Sequence, residues 1–304
     1  MVSGVRPLSK RIVINDRFIN QTMSPRSVSS RKGENGILLV VGASDIYHGA
    51  PLLSSMAGLR SGVDLVYTSV PQRNVLALRS YSPNFIVLPF SHDSMDMASV
   101  REILHVLPKK PDAAAIGMGL DIAQIKGLIY LINELKGMQT KLLLDASALI
   151  PDVLKHISGT NTIITPHLGE FKRVFSTESS IRFLLQKRTS LKKLISAVVE
   201  MAEKYGITIV LKGEYNVIAS GIGGTVSVIK RSTPAMTVGG TGDVLSGLVA
   251  GLLTKLDPFL ASIMGVYLNG LAALQASKKL GLHLLATDLI DNLPYVMKKF
   301  DKIK

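Results

Sequence analysis

The chain of 304 residues contains no cysteine and no tryptophan. The missing thiols exclude disulfides, thiolate metal sites and thiol nucleophiles. Six histidines are scattered, and no two show the HExxH spacing of a zinc protease. A metal at work in this protein is therefore expected to be Mg2+ arriving with a nucleotide. Aromatic residues amount to only 5%, which leaves little for stacking nucleic-acid bases. Long runs of like charge are missing too. The net charge is +13 and the pI about 9.8. The basic residues are dispersed, with pairs such as Lys109-Lys110, Lys192-Lys193 and Lys298-Lys299. This reads as a surface that draws small anions, with no nucleic acid as partner. The N-terminus has charges throughout and no apolar segment of a signal peptide, so a cytoplasmic location is expected. One uncharged stretch, 258–277, approaches the length of a membrane span. It contains Asn269, Gln275, serines, Gly265 and Gly270, and is expected to be a buried core helix, with no membrane partner.

What is present is a large apolar fraction, 47% with a mean hydropathy of +0.31, enough for a sizeable core. Residues 37–41 are apolar at every position, the mark of a strand buried on both faces. Further strands are expected at 63–69, 85–88, 113–116, 141–144, 162–164 and 207–211, with a hairpin pair at 217–218 and 226–229. Helices are expected between them at 50–61, from Pro71 onward, at 97–107, at 122–135 and at 191–205. Another starts at Pro166 with Thr165 as its N-cap. The remainder is helical at 243–254, 258–277 and 287–298. Strands alternating with helices imply an α/β fold: a mainly parallel central sheet with helices on both faces. Residues 1–30 are expected to be a polar lead-in with a short helix, and 31–304 a single domain. Ligands of such sheets bind beyond the carboxyl ends of the strands.

The run Val238-Gly239-Gly240-Thr241-Gly242-Asp243 precedes a largely apolar helix. The first amides of a helix have no partner within it, and the helix dipole favours an anion there. Gly240, Thr241 and Gly242 are thus the expected anion hole for a phosphate, with Asp243 at its rim. A carboxylate in that place can take a proton from a hydroxyl about to attack phosphorus. The same residues also suit a plain glycine turn with Asp243 capping the helix. Ser246, Gly247, Ala250 and Gly251 form a small-residue stripe, so this helix is expected to pack closely against another element.

Other turns fall on the same edge of the sheet. Residues 42–50 form a glycine loop between strand and helix that is neither GxGxxG nor a Walker loop. Gly117-Met118-Gly119 closes a second strand. His167 lies at a helix start, where the dipole disfavours the imidazolium; a neutral histidine there could bond a substrate, or be structural. Lys212 ends a strand, where it could meet a phosphate as a point charge or lie solvated in a hairpin turn.

Taken in order, these motifs resemble the ADP- or ATP-dependent NAD(P)H-hydrate dehydratase family, a branch of the ribokinase-like superfamily. The resemblance covers nearly the whole chain after about residue 31. It rests on Gly42-Ala43-Ser44 with Tyr47-His48-Gly49-Ala50-Pro51, on Gly117-Met118-Gly119-Leu120, on Leu144-Asp145-Ala146, on Thr165-Pro166-His167-Leu168-Gly169-Glu170-Phe171, on Leu211-Lys212-Gly213 and on 239–247. It implies a repair reaction on the S epimer of hydrated NADH or NADPH. The hydroxyl on the damaged ring is phosphorylated and phosphate is expelled. On this resemblance Asp243 is the general base. Lys212, Gly213, Glu214, Tyr215, Asn216 and Gly242 line the adenine nucleotide, ADP or ATP, and Ala50, Gly119, His167 and Asp243 contact the hydrated dinucleotide. Magnesium, a homotetramer and a separate NAD(P)H-hydrate epimerase are the further expectations, since the chain lacks room for the epimerase domain fused in some relatives. Arg31, Met118, Ser147 and Thr237-Val238 depart from the usual pattern, of which only Met118 is expected at the dinucleotide. A vitamin or sugar kinase of the same fold would use the same Asp243 and release its phosphorylated product intact. A nucleotide-sensing module would keep the pocket without needing Asp243.

Overall fold

The computed structural model describes residues 14–182 and 189–304. Nine strands form one sheet in the order β3-β2-β1-β4-β5-β6-β7-β8-β9. These are β1 (Ile37–Val41), β2 (Leu65–Pro71), β3 (Ile86–Phe90), β4 (Ala113–Ile116), β5 (Lys141–Leu144), β6 (Thr162–Ile164), β7 (Thr208–Leu211), β8 (Tyr215–Ala219) and β9 (Val226–Lys230). β1 to β7 are parallel, and β8 and β9 add an antiparallel hairpin at one edge. The helices are α1 (Asp16–Thr22), α2 (Gly49–Arg60), α3 (Val75–Tyr81), α4 (Met97–Val106), α5 (Ile125–Gly137), α6 (Leu154–Ile157), α7 (Leu168–Val174), α8 (Ser179–Arg182), α9 (Leu191–Tyr205), α10 (Thr241–Leu253), α11 (Pro258–Leu280) and α12 (Ala286–Met297).

The period-two alternation of a strand sends neighbouring side chains to opposite faces. Leu39 and Val41 of β1 join one buried cluster with α4, α5, α7 and α9. Leu38 and Val40 join the other, with α2, α10, α11 and α12. Helices therefore cover both faces, as the continuous apolar strands require. α11 is long and apolar enough to cross a membrane by composition, but 72% of its apolar window is buried inside this fold.

Three local expectations are corrected. Pro71 closes β2 in place of opening a helix; a short 3-10 turn over Gln72–Asn74 leads into α3. Ile122 lies outside α5 and forms an isolated bridge with Met95. The helix expected from Pro166 begins at Leu168, and its N-cap is His167, not Thr165. Thr165 is instead buried at the end of β6, its amide donating to the Leu144 carbonyl (3.1 Å).

The strand order positions the site. The chain runs outward from β1 to β2 and β3, then returns to lay β4 on the other side of β1. The loops after β1 and β4 thus diverge and open a crevice at the carboxyl edge, where open α/β sheets bind ligands. α10 and α2 pack very closely beside that crevice. Gly247 lies so near the Ser54 backbone that no side chain fits between them, as the small-residue stripe implied.

Candidate active site

α10 begins at the expected glycines. Gly240 is its N-cap, in the left-handed region at φ +89°. A Cβ there would lie 2.6 Å from Leu53 Cδ1 and 2.9 Å from the Ala286 Cβ, so both conformation and space demand glycine. The Thr241 hydroxyl is turned back into the loop, within reach of the Met236 and Val238 carbonyls (2.9 and 3.1 Å). Thr241 therefore offers a ligand its amide and not its side chain. The amides of Gly240, Thr241, Gly242 and Asp243 are the four orphan donors of the helix start, and none has an acceptor among the described residues. On the other side, the Ser54 hydroxyl donates to the Asp243 carbonyl (2.9 Å), tying α2 to this turn.

Beneath the helix start lies a buried ion pair. Lys212 Nζ, at the end of β7, donates to Asp145 Oδ1 at the end of β5 (2.7 Å). The Asp145 carboxylate is almost fully buried and also accepts from the Ser246 hydroxyl of α10 (2.6 Å). Lys212 Nζ reaches the turn itself: a side chain at Gly242 would sit 3.6 Å from it. A cation thus stands beside the free amides, as a phosphate site needs.

The electrostatics single out Asp243. Its carboxylate makes no hydrogen bond among the described residues. Burial raises its pKa to about 7; the negative Asp145 and, more weakly, Glu170 push the same way, and Lys212 partly offsets them. A carboxylate poised near neutral pH suits a general base. For Lys212, burial acts to lower the pKa, but Asp145, Glu170 and Asp243 outweigh it and leave it above the ordinary lysine value. It remains a cation.

His167 closes this side of the site. Its Nδ1 accepts from the amides of Gly169 and Glu170 (3.0 and 3.2 Å), while the Glu170 carboxylate accepts from the His167 amide (2.8 Å). This reciprocal cap is a capping box built with histidine. An accepting Nδ1 places the proton of a neutral ring on Nε2, which lies 3.6 Å from Glu170 Oε1 on a largely exposed side chain. The backbone of Lys212 donates to the Pro166 carbonyl (2.8 Å), so His167 and Lys212 stand on adjacent strand ends.

The structure thus brings Lys212, Gly242, Asp243 and His167 together. Ala50 and Gly119 meet at the crevice between β1 and β4, Gly119 packing against Tyr47 and Ala50. Gly213, Glu214, Tyr215 and Asn216 run out into the β7–β8 hairpin. There Asn216 bonds the Gly213 amide and the Ile229 carbonyl, and the Glu214 carbonyl accepts from the Arg231 amide. Met118 was expected at the dinucleotide, but its side chain is fully buried in the core; only its carbonyl faces the crevice loop, accepting from the Ala43 amide (3.1 Å). Ser147 lies within bonding reach of the Gly117 and Leu120 carbonyls (2.8 and 2.6 Å), so it fastens the β4 loop. Sequence reasoning gave Ser246 only a packing role and assigned no place in the site to Asp145, Glu170 or Ser54. The available signal was an acid at one strand end and a lysine two strands later.

The comparisons with known proteins converge on one family. The model of the NAD(P)H-hydrate dehydratase family matches residues 38–295. The ADP-dependent (S)-NAD(P)H-hydrate dehydratase of Nitrosopumilus maritimus is 48% identical over 294 residues, covering 96% of this chain and 99% of that one. A bifunctional NAD(P)H-hydrate repair enzyme of Pyrobaculum aerophilum is 37% identical over 301 residues, covering 98% of this chain and 57% of its own length. Among solved structures, the ADP/ATP-dependent NAD(P)H-hydrate dehydratase from Bacillus subtilis, co-crystallized with ATP/Mg2+, matches with a TM-score of 0.78 at 27% identity over 94% of this chain and 98% of that one. The fold is ribokinase-like, and the chain belongs to the NAD(P)H-hydrate dehydratase family.

Proposed function

We propose that this chain is an ADP-dependent hydro-lyase that restores NADH or NADPH from the S epimer of its hydrated form, releasing AMP and phosphate. One observation carries the chemistry: a recessed carboxylate with a pKa raised to about 7 stands at four unpaired amides with a lysine beside them. Asp243 takes the proton of the ring hydroxyl, and the hydroxyl oxygen attacks the terminal phosphorus of ADP. The bond from that phosphorus to AMP breaks. The charge on the transferring group falls on the amides of 240–243 and on Lys212, which act by electrostatic stabilisation. The ring carbon–oxygen bond then breaks with its electrons leaving as phosphate, and loss of a neighbouring ring proton restores the double bond. Ala50, Gly119 and His167 line the dinucleotide side, and the 212–216 hairpin lines the nucleotide side.

Among the described residues no cluster of three His, Asp or Glu could hold a metal ion. Asp145 is already taken up by Lys212 and Ser246. The described residues thus build no cage of their own for magnesium, which would enter on the nucleotide phosphates. A separate epimerase, cytoplasmic location and homotetrameric assembly complete the proposal. The greater length of the bifunctional relative is in keeping with a second repair activity acting beside this one.

The test is absorbance at the reduced-nicotinamide band, with protein, magnesium, hydrated NADPH and either ADP or ATP. A rise with phosphate release is expected, faster with ADP. No rise with either donor, from protein that binds AMP, would overturn the dehydratase and leave a small-molecule kinase of this fold.

A further inference from the structure

At the opposite edge of the sheet, below the amino ends of β1 and β2, lies a cavity of about 470 Å3. Its volume falls within the range of small-ligand sites. α2 and α10 begin at the active site and end here, at Arg60–Gly62 and Gly251–Leu256. At 1.5 Å per residue, α10 separates the two places by roughly 20 Å. We propose that this cavity is a second ligand site, for a small amphiphilic anion: a carboxylate or phosphate headgroup on a short apolar body.

The charge lining supports an anion. Arg26, Arg60, Lys255, Lys298 and Lys302 border the cavity, against one acid, Asp301. Among the described residues, only Arg26 of these is neutralised by a partner, Asp64 at 2.5 Å. Lys255 Nζ is held by the Glu34 carbonyl, and Lys302 Nζ by the Asn20 and Met23 carbonyls. A carbonyl fixes a cation in place without cancelling its charge. Arg60 and Lys298 make no ion pair among the described residues. The carboxyl end of α10 would oppose an anion through its dipole. That end is occupied, however, because Lys141 Nζ takes the Leu253 and Leu256 carbonyls (2.9 and 2.8 Å). Like charges gathered at one cavity repel each other, and a bound anion relieves that repulsion.

The walls specify the rest of the ligand. Met23, Val63, Leu252 and Met297 face the same space, and they favour an apolar body over a bare inorganic ion. A nucleotide, which needs stacking or base-edge partners, finds no aromatic side chain in this lining.

The experiment uses the full chain and 8-anilinonaphthalene-1-sulfonate as the probe, followed by fluorescence and calorimetry. Expected is saturable binding of one probe per chain, displaced by decanoate or decyl phosphate; the stronger competitor names the headgroup. Decanol and saturating AMP should not displace it. Arg60→Glu with Lys298→Glu, both exposed, should weaken binding about tenfold or more, since each lost charged contact counts for about that much. Val63→Phe, which fills the cavity and keeps the charges, should do the same. Unchanged affinity in both variants would overturn the proposal. So would displacement by AMP, which places the probe in the active site, or equal competition by decanol, which removes the role of the headgroup.

Discussion

Replacing Asp243 by asparagine should abolish turnover and, at the same time, make the protein more stable above neutral pH. The folded-state pKa of Asp243 is about 7, against 3.8 for the free side chain. That is roughly three units, each equivalent to about 1.36 kcal/mol. The raised value means that the native state binds this proton more tightly than the unfolded chain does. Below pH 3.8 both states carry the proton and there is no penalty. As pH rises from 3.8 to 7 the unfolded chain ionises first, and stability falls. Above 7 the full penalty is present, on the order of 4 kcal/mol. Asparagine removes it. The carboxylate makes no hydrogen bond among the described residues, so the amide forfeits none. It does forfeit the favourable place of an anion in the first turn of α10, up to about 1 kcal/mol. The net gain at pH 8 is then about 3 kcal/mol. With an unfolding entropy near 2.1 cal/mol/K per residue, this amounts to a rise in Tm of about 5 °C for a chain of this length. At pH 4 the gain should vanish. Thermal melts of both proteins across this range are the assay, with AMP binding as a check that the pocket persists. A gain equal at pH 4 and pH 8, or no gain at pH 8, would refute the argument that burial and Asp145 repulsion hold this carboxylate in a strained, functional state. The same titration should appear as an acid limb near pH 7 in kcat/KM.

Lys212→Met should leave Asp145 buried without its cation and cost about 3–5 kcal/mol in urea unfolding. It should also move the acid limb of the pH–rate profile above 7, because Lys212 is the group that holds Asp243 down. Gly247→Ala should cost about 1–3 kcal/mol by overpacking against Ser54, and turnover should fall as the Ser54–Asp243 tie is displaced; a melt like that of the parent would contradict the close approach. His167→Ala removes the acceptor for two amides at the start of α7, a loss of about 0.5–2 kcal/mol, measured by chemical denaturation.

Much of the fold was legible in the chain because it is written in local periodicity. Residues 37–41 and 113–116 are apolar at every position, and 141–144 are apolar after Lys141, the pattern of short strands covered on both faces. Boundaries failed where a local rule had a competitor. Pro166 suits a first helical turn, yet its carbonyl accepts the Lys212 amide, a partner 46 residues away that no local pattern announces. His167 then takes the capping position through its ring nitrogen, outside the usual set of capping residues.

The site divides the same way. The glycine–aspartate run announced free amides and an acid, since helix-start chemistry depends only on neighbours in the chain. Asp145, Lys212 and Ser246 lie on three separate elements, and no spacing in the chain shows that they meet. Their meeting is decided by the strand order β5-β6-β7 and by the close contact of α10. The pKa of Asp243 is likewise a property of burial and distance to other charges, which exist only once the chain has folded. The sequence by itself determined most of the elements, the free amides at the start of α10 and the place of Asp243 beside them. The tertiary structure decided which charges surround that acid, and so whether it can act as a base at neutral pH, because hydrogen bonding along the chain is local while desolvation and Coulomb interaction act through space.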